Sequence, residues 1–228
     1  MAKEKQENVE KGMQNIESAL GRTEHFIEDN RNSIMYAVAG IVILIALFFG
    51  VKRFVVAPKE KEAESAIFQA QRYFEQDSFR LALDGDGANI GLVEIINSYG
   101  ITRTANLARF YAGISFYRTG EYEDAIKYLK KYHKSDKLIS PLAEGTIGDS
   151  YMQLGQDKDA ISFYLKAAKI SENELTSPVY LMKAAQVYEK LNDLASALKL
   201  YDRIKKDYPT SAEGTQIDKY IARDQMKK

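Results

Sequence analysis

A chain of 228 residues with Lys+Arg equal to Asp+Glu at 32 each has no basic excess to suggest nucleic acid, and no acidic excess either. The absence of cysteine excludes disulfides, thiol chemistry and cysteine-ligated metal. Few prolines, frequent Ala, Lys, Glu and Tyr, and little β-branched alternation point to an all-α fold.

Residues 1–33 form a polar tail with seven acidic and five basic side chains. Val9, Met13, Ile16, Leu20 and Ile27 recur at spacings of four, three, four and seven, a thin helical stripe of the a/d kind. It reads as a loosely helical solvated segment or as a docking helix or short coiled coil. With fewer than four heptads, it is marginal alone.

Residues 34–51, IMYAVAGIVILIALFFGV, carry no formal charge, and eleven of the eighteen are Ile, Leu, Val or Phe. As a helix they span roughly 27 Å at about 1.5 Å per residue, close to the roughly 30 Å hydrocarbon core of a bilayer. At about −0.5 kcal/mol for each large apolar residue, insertion gains on the order of 5 kcal/mol. A buried soluble helix and a cleaved signal peptide compete with this reading. The 33-residue tail is long for a signal peptide, and the A-x-A-like site Val55-Val56-Ala57 is followed by Pro58. The expectation is one transmembrane helix with the lipid bilayer as its partner. Tyr36 is its single polar side chain, so no transport pathway is expected.

Residues 52–58 are expected to form a juxtamembrane linker. Lys52 and Arg53 would snorkel to the headgroups, and Pro58 would stop or kink the helix. A repeat then sets in. Gly113-x-x-Phe116-x-x-x-Gly120-x-x-x-x-Ala125-x-x-x-Leu129 returns 35 residues later as Gly148-x-x-Tyr151-x-x-x-Gly155-x-x-x-x-Ala160-x-x-x-Tyr164. The frame returns again as Ala185-x-x-Tyr188…Ala197-x-x-x-Tyr201, with Asn192 at the turn. Small residues stand where helices approach, large ones fill the gaps, and Gly or Asn reverses the chain. Ala70-x-x-Tyr73 and Ala82 supply an earlier copy interrupted by an eight-residue insertion, 84–91. Ser140-Pro141 and Ser177-Pro178 are predicted helix starts. Thr210-x-x-Glu213 is a predicted capping box opening a C-terminal capping helix within 211–228.

No catalytic, cofactor-binding or metal site is expected. The Gly85-x-Gly87-x-x-x-Gly91 run lacks both the spacing and the preceding strand of a phosphate loop. Counting a calcium loop from Asp84 puts Ala88 and Ile95 where oxygen ligands are needed. His25 and His133 lie on opposite sides of the span. Carboxylates alternate with lysines on helix faces, the usual solvated arrangement.

The repeat over residues 59–210 resembles the tetratricopeptide repeat family. The resemblance implies an α-solenoid of about four helix pairs with a concave protein-binding face. Departures from its pattern are Arg109, Glu144 and Leu181 where an aromatic is usual. In that frame the second, fifth, ninth and twelfth positions of each first helix face inward: Leu107, Phe110, Ile114 and Tyr117, then Leu142, Gly145, Asp149 and Met152, then Val179, Met182, Gln186 and Glu189. The candidate peptide-binding face is Leu107, Phe110, Ile114, Tyr117, Arg118, Met152, Met182 and Gln186, with a packed-over wall as the competing reading. The Lys and Asn that some members use to clamp a carboxylate are absent from the fifth and ninth positions.

The whole layout, with Phe26-Ile27-Glu28-Asp29-Asn30 before the span and Lys52-Arg53-Phe54 after it, resembles the ancillary Sec-translocon subunits of the bacterial inner membrane. That resemblance implies a single-pass protein with a periplasmic repeat domain. Its partners would be the translocon, a membrane-bound chaperone or exported chains, with no small-molecule substrate and no enzyme activity. A scaffold or assembly factor of another membrane-envelope complex is the alternative. Positive-inside counting leans the other way, with Arg22 and Arg31 before the span against Lys52, Arg53, Lys59 and Lys61 after it. Domains as long as this one translocate largely regardless of such charges.

Overall fold

A computed structural model describes residues 30–134 and 136–227. The stripe from Val9 to Ile27 and His25 lie outside the described residues. The chain divides after Ala57 into two units.

The first unit holds helix α1 (Arg31–Val51). The helical run that opens at Arg31 contains an 18-residue window of mean hydropathy 2.7, none of it buried within the protein. Leu44, Phe48 and Phe49 are 67%, 64% and 61% exposed. Exposed apolar side chains around the whole circumference leave no face for water. The helix is long and apolar enough to cross a membrane. Where the sequence predicts a linker or kink over 52–58, the backbone is instead helical. Lys52–Val56 form a π-turn, and the Ala57 N–H donates to the Lys52 carbonyl. Pro58 is the second residue of the next helix, and a π-turn directly before a proline lets the helix run on past its missing N–H.

The second unit stacks α2 (Ala57–Glu75), α3 (Phe79–Asp84), α4 (Leu92–Ser98), α5 (Arg103–Arg118) and α6 (Tyr122–Lys131). It continues with α7 (Ile139–Gln153), α8 (Asp157–Ser171), α9 (Ser177–Lys190), α10 (Leu194–Asp207) and α11 (Ile217–Gln225). The same turn closes the first helix of each pair. Asp77, Gly120, Gly155 and Asn192 all have positive φ, from 55° to 86°. The following N–H reaches back five residues each time: Ser78 to Tyr73, Glu121 to Phe116, Gln156 to Tyr151 and Asp193 to Tyr188, at 2.8–2.9 Å. This is a Schellman cap, which satisfies terminal carbonyls and reverses the chain at once. Among the described residues four such caps define four helix pairs.

The second and third pairs each bury a glycine under a large side chain. A Cβ on Gly113 would stand 2.4 Å from Leu129 Cγ, and one on Gly148 would stand 2.7 Å from the Tyr164 ring. Ala112, Ala125, Ala143, Ala160, Ala184 and Ala197 are fully buried along the stack. The fully buried Leu181 fills one of the positions that depart from the repeat pattern. The other two are polar. Arg109 donates to the Gly100 carbonyl at 2.9 Å, and the buried Glu144 accepts from Lys134 at 2.7 Å.

In the first pair the second helix is split into α3 and α4, and both pieces pack on α5. Between them Gly85 and Ile90 form an isolated antiparallel bridge. Asp86 accepts from the backbone N–H of Ala88 (2.9 Å) and Asn89 (2.6 Å), and from the Tyr73 hydroxyl (2.6 Å). Those bonds, Tyr73 foremost, hold its carboxyl well below the usual range. Its oxygens organise the turn.

Two predicted helix starts are found, but with other caps. α7 opens at Ile139 and α9 at Ser177, within two residues of the expected starts, but Ser140 and Ser177 are buried and neither side chain caps its helix. Asp136 instead accepts from the N–H groups of Leu138 and Ile139, and Asn173 from those of Leu175 and Thr176. The predicted capping box does not form. Thr210 donates to Glu174, Ser211 Oγ takes the Gly214 N–H, and α11 begins only at Ile217, after a 3₁₀ turn. Gly214 passes so close to Tyr208 that a Cβ there would stand 2.1 Å from its carbonyl oxygen, so this turn requires glycine.

One long-range cap anchors the first pair to the second. Glu60 accepts from the backbone N–H groups of Arg103 (2.8 Å) and Thr104 (2.9 Å) and from the Thr104 hydroxyl (2.7 Å). Partial burial pushes its carboxyl up, but these bonds and the Arg103 charge outweigh it and hold it below its ordinary value. Glu60→Ala is expected to cost about 1 kcal/mol at neutral pH, read by urea titration. A group with a lowered folded pKa stabilises above the carboxylate range and loses that contribution as pH falls through it. The difference between variant and parent should therefore shrink in acid.

Candidate functional site

The first helices α5, α7 and α9 bring one face of the second unit together. Along it Leu107, Ile114, Tyr117 and Met152 are half-buried, and Arg118 and Gln186 are exposed. Phe110 and Met182 are only 7% and 9% exposed, so they are core side chains. Phe110 lies 5.7 Å from the Tyr132 ring, which swings in after α6. Met182 borders a small cleft closed by Ala212, Gln216 and Tyr220 of the C-terminal segment. Tyr117 packs against the core of the first two pairs. Arg118 turns away to stack 4.8 Å above Phe79 and pair with Asp77 at 3.5 Å.

The middle of this face is polar and closed on itself. Asp149 receives Lys183 Nζ at 2.7 Å and the Tyr164 hydroxyl at 2.6 Å. Lys183 also lies 5.6 Å and 5.9 Å from the Tyr164 and Tyr180 ring centres. Burial, with Asp149 as the second cause, holds Tyr164 protonated far above its ordinary range and pushes Tyr180 up to about 12. Tyr117 is raised for the same two reasons. With cation, carboxylate and hydroxyl matched, this cluster ties α7 to α8 and α9 and presents no free base or nucleophile.

Open surface lies instead at the edge where the first helices begin. One cleft, about 660 Å³, sits at the start of α5 and is lined by Ile101, Arg103, Asn106, Leu107, Arg109 and His133, with Thr102 and Tyr132 completing it. Asn106 holds its far wall by exchanging two hydrogen bonds with the His133 backbone, at 2.7 and 3.1 Å. A second cleft, about 360 Å³, sits at the starts of α7 and α9 and is almost wholly apolar. Leu138, Ile139, Leu142, Leu175, Val179 and Tyr180 line it with Thr176. Leu138 and Leu175 are 56% and 69% exposed. Of the candidate peptide-binding face only Leu107 reaches these clefts, while two other inward positions of the repeat frame, Leu142 and Val179, line the second. About half of their walls come from inter-repeat loops, whose positions the helical frame does not fix. Among the described residues no group of three or more His, Asp or Glu side chains is placed to hold a metal.

The molecule is thus an all-α solenoid of helix pairs with an apolar N-terminal helix and a closing C-terminal helix. Family models described as tetratricopeptide repeat match residues 107–136, 145–174 and 180–211. These ranges coincide with the second, third and fourth pairs. A comparison with curated proteins found no match. Tetratricopeptide repeats mark the second unit as a protein–protein interaction module, a class that is generally non-enzymatic.

Proposed function

We propose that the chain is a single-pass protein of a bacterial inner membrane whose repeat array lies in the periplasm. There it holds exported polypeptides or a membrane-bound chaperone beside the Sec translocon. The observation that carries this reading is one chain combining a helix able to cross a bilayer with a repeat array that leaves an apolar cleft open to solvent. The narrower placement beside the translocon rests on the sequence resemblance. A second reading, a scaffold for another membrane-envelope complex, draws on the burial of Phe110 and Met182, which removes two apolar side chains from the inner face.

The cysteine-free chain makes the test direct. Single cysteines replacing Gly12 or Asp157 are probed in intact cells with a membrane-impermeant maleimide, and a photocrosslinker is placed at the exposed Gln186. Labelling of Asp157→Cys alone, with crosslinks to exported chains, the chaperone or the translocon, is the expected result. Labelling of Gly12→Cys alone overturns the periplasmic placement. Crosslinks confined to fixed components of another complex favour the scaffold.

A further inference from the structure

The two edge clefts occupy successive inter-repeat junctions. Leu107 lines the first and Leu142 the second, 35 residues apart at equivalent positions of α5 and α7. Their chemistry differs. The apolar cleft has almost no polar lining, whereas the first carries two guanidiniums and an imidazole and no carboxylate.

The neighbouring acids are already engaged. Glu60 is held by the N–H groups that open α5, Asp136 by those of Leu138 and Ile139, and Glu144 by Lys134. Arg109 spends one guanidinium nitrogen on the Gly100 carbonyl. Arg103 is exposed at the mouth; its charge acts on the Glu60 carboxylate from beyond ion-pair distance, and no other acid among the described residues pairs with its guanidinium. A cleft of this size with excess positive charge and apolar walls at Ile101 and Leu107 favours an anionic group carried on a partly apolar chain.

We infer that this edge binds an extended peptide that places an acidic side chain in the Arg103–Arg109–His133 cleft and a large apolar side chain in the Leu142–Leu175 cleft. Packed helices lie about 8–10 Å apart, and an extended chain advances about 3.3 Å per residue. The two side chains are therefore expected about three residues apart. The inference names the recognised sequence class and rests on the interaction-module reading given above, although its site lies at the edge of the inner face.

The full chain in nanodiscs of zwitterionic lipid is titrated with a fluorescent peptide carrying one glutamate and one phenylalanine three residues apart. The comparison peptides change glutamate to lysine, change phenylalanine to serine, or set the pair one residue apart. Each change is expected to weaken binding about tenfold. Arg103→Glu should weaken the parent peptide by about as much and strengthen the lysine peptide, a reversal that a merely structural arginine would not produce. Leu175→Asp should weaken only peptides that carry the phenylalanine.

Equal binding of all four peptides, or no reversal with Arg103→Glu, overturns the inference while the crosslinking result above stands. Competition of the glutamate peptide by anionic phosphatidylglycerol, with no dependence on phenylalanine, would assign the cationic cleft to lipid headgroups and also overturn it.

Discussion

Valine at Gly145 is expected to destabilise the repeat array by about 3 kcal/mol, and alanine by about 1 kcal/mol. For a domain of this size that corresponds to a drop in Tm of roughly 2–4 °C per kcal/mol. Two effects oppose each other at this position. Replacing a mid-helix glycine gains about 0.8–1.0 kcal/mol of helix propensity. The new Cβ, however, would stand 2.0 Å from Tyr180 Cε1 and 2.4 Å from Cζ. Tyr180 is 6% exposed and stacks on Tyr164 with ring centres 6.5 Å apart, so its ring can retreat only by leaving that stack for the adjoining cleft. Overpacking a rigid site costs about 1–3 kcal/mol or more, and it wins. Combining Gly145→Ala with Tyr180→Leu should recover more than either single change predicts, a coupling of at least about 1 kcal/mol. Additive losses, or an unchanged Tm for Gly145→Val, would place the contact elsewhere.

That contact marks where sequence reasoning stops. The turn residues Gly120, Gly155 and Asn192, and the Gly113–Leu129 and Gly148–Tyr164 pairings, are legible because a helical hairpin constrains residue size and φ at fixed spacings. Asp77 does the same work in the first pair but escapes notice, since aspartate seldom signals positive φ and the 84–91 insertion hides the period. A helical frame gives the direction of a side chain relative to its own axis, but not the neighbour that arrives there. Gly145 points inward in that frame and meets Tyr180. Phe110 points inward and meets Tyr132. Met182 does so beside the segment from Ala212 to Tyr220. The edge clefts are hidden for the same reason, because loops build half of their walls. Capping motifs mislead when a better acceptor lies upstream: Asp136 and Asn173 outbid the serine–proline pairs by offering a carboxylate or amide oxygen to two N–H groups each.

The buried tyrosines should make the array abruptly sensitive to alkali. Tyr164, Tyr180 and Tyr201 are 3%, 6% and 0% exposed. Burial is the largest cause of each raised pKa, followed by Asp149 for the first two and by the hydrogen bond to Glu189 for Tyr201. In the unfolded chain each loses its proton near pH 10, while the folded chain keeps it. Above pH 10 the folded state binds more protons than the unfolded one, so stability falls as pH rises. Below pH 10 the contribution is fully present. Each such group contributes a slope approaching 1.4 kcal/mol per pH unit, or about 4 kcal/mol per unit for the three together. Tyr180 drops out of that slope near its folded pKa of about 12. Urea titrations between pH 9 and 11 should show the fall, with tyrosinate absorbance appearing only as the chain unfolds. Lysines also titrate in this range, so the parent must be compared with Tyr164→Phe and Tyr201→Phe. Each variant should flatten the alkaline slope by up to about 1.4 kcal/mol per pH unit, and a slope equal to the parent's in both would sink the idea. Tyr201→Phe also removes the hydroxyl that Glu189 accepts, leaving that carboxylate to Arg223 alone. A neutral-pH loss of about 1 kcal/mol is therefore expected beneath the flattened slope.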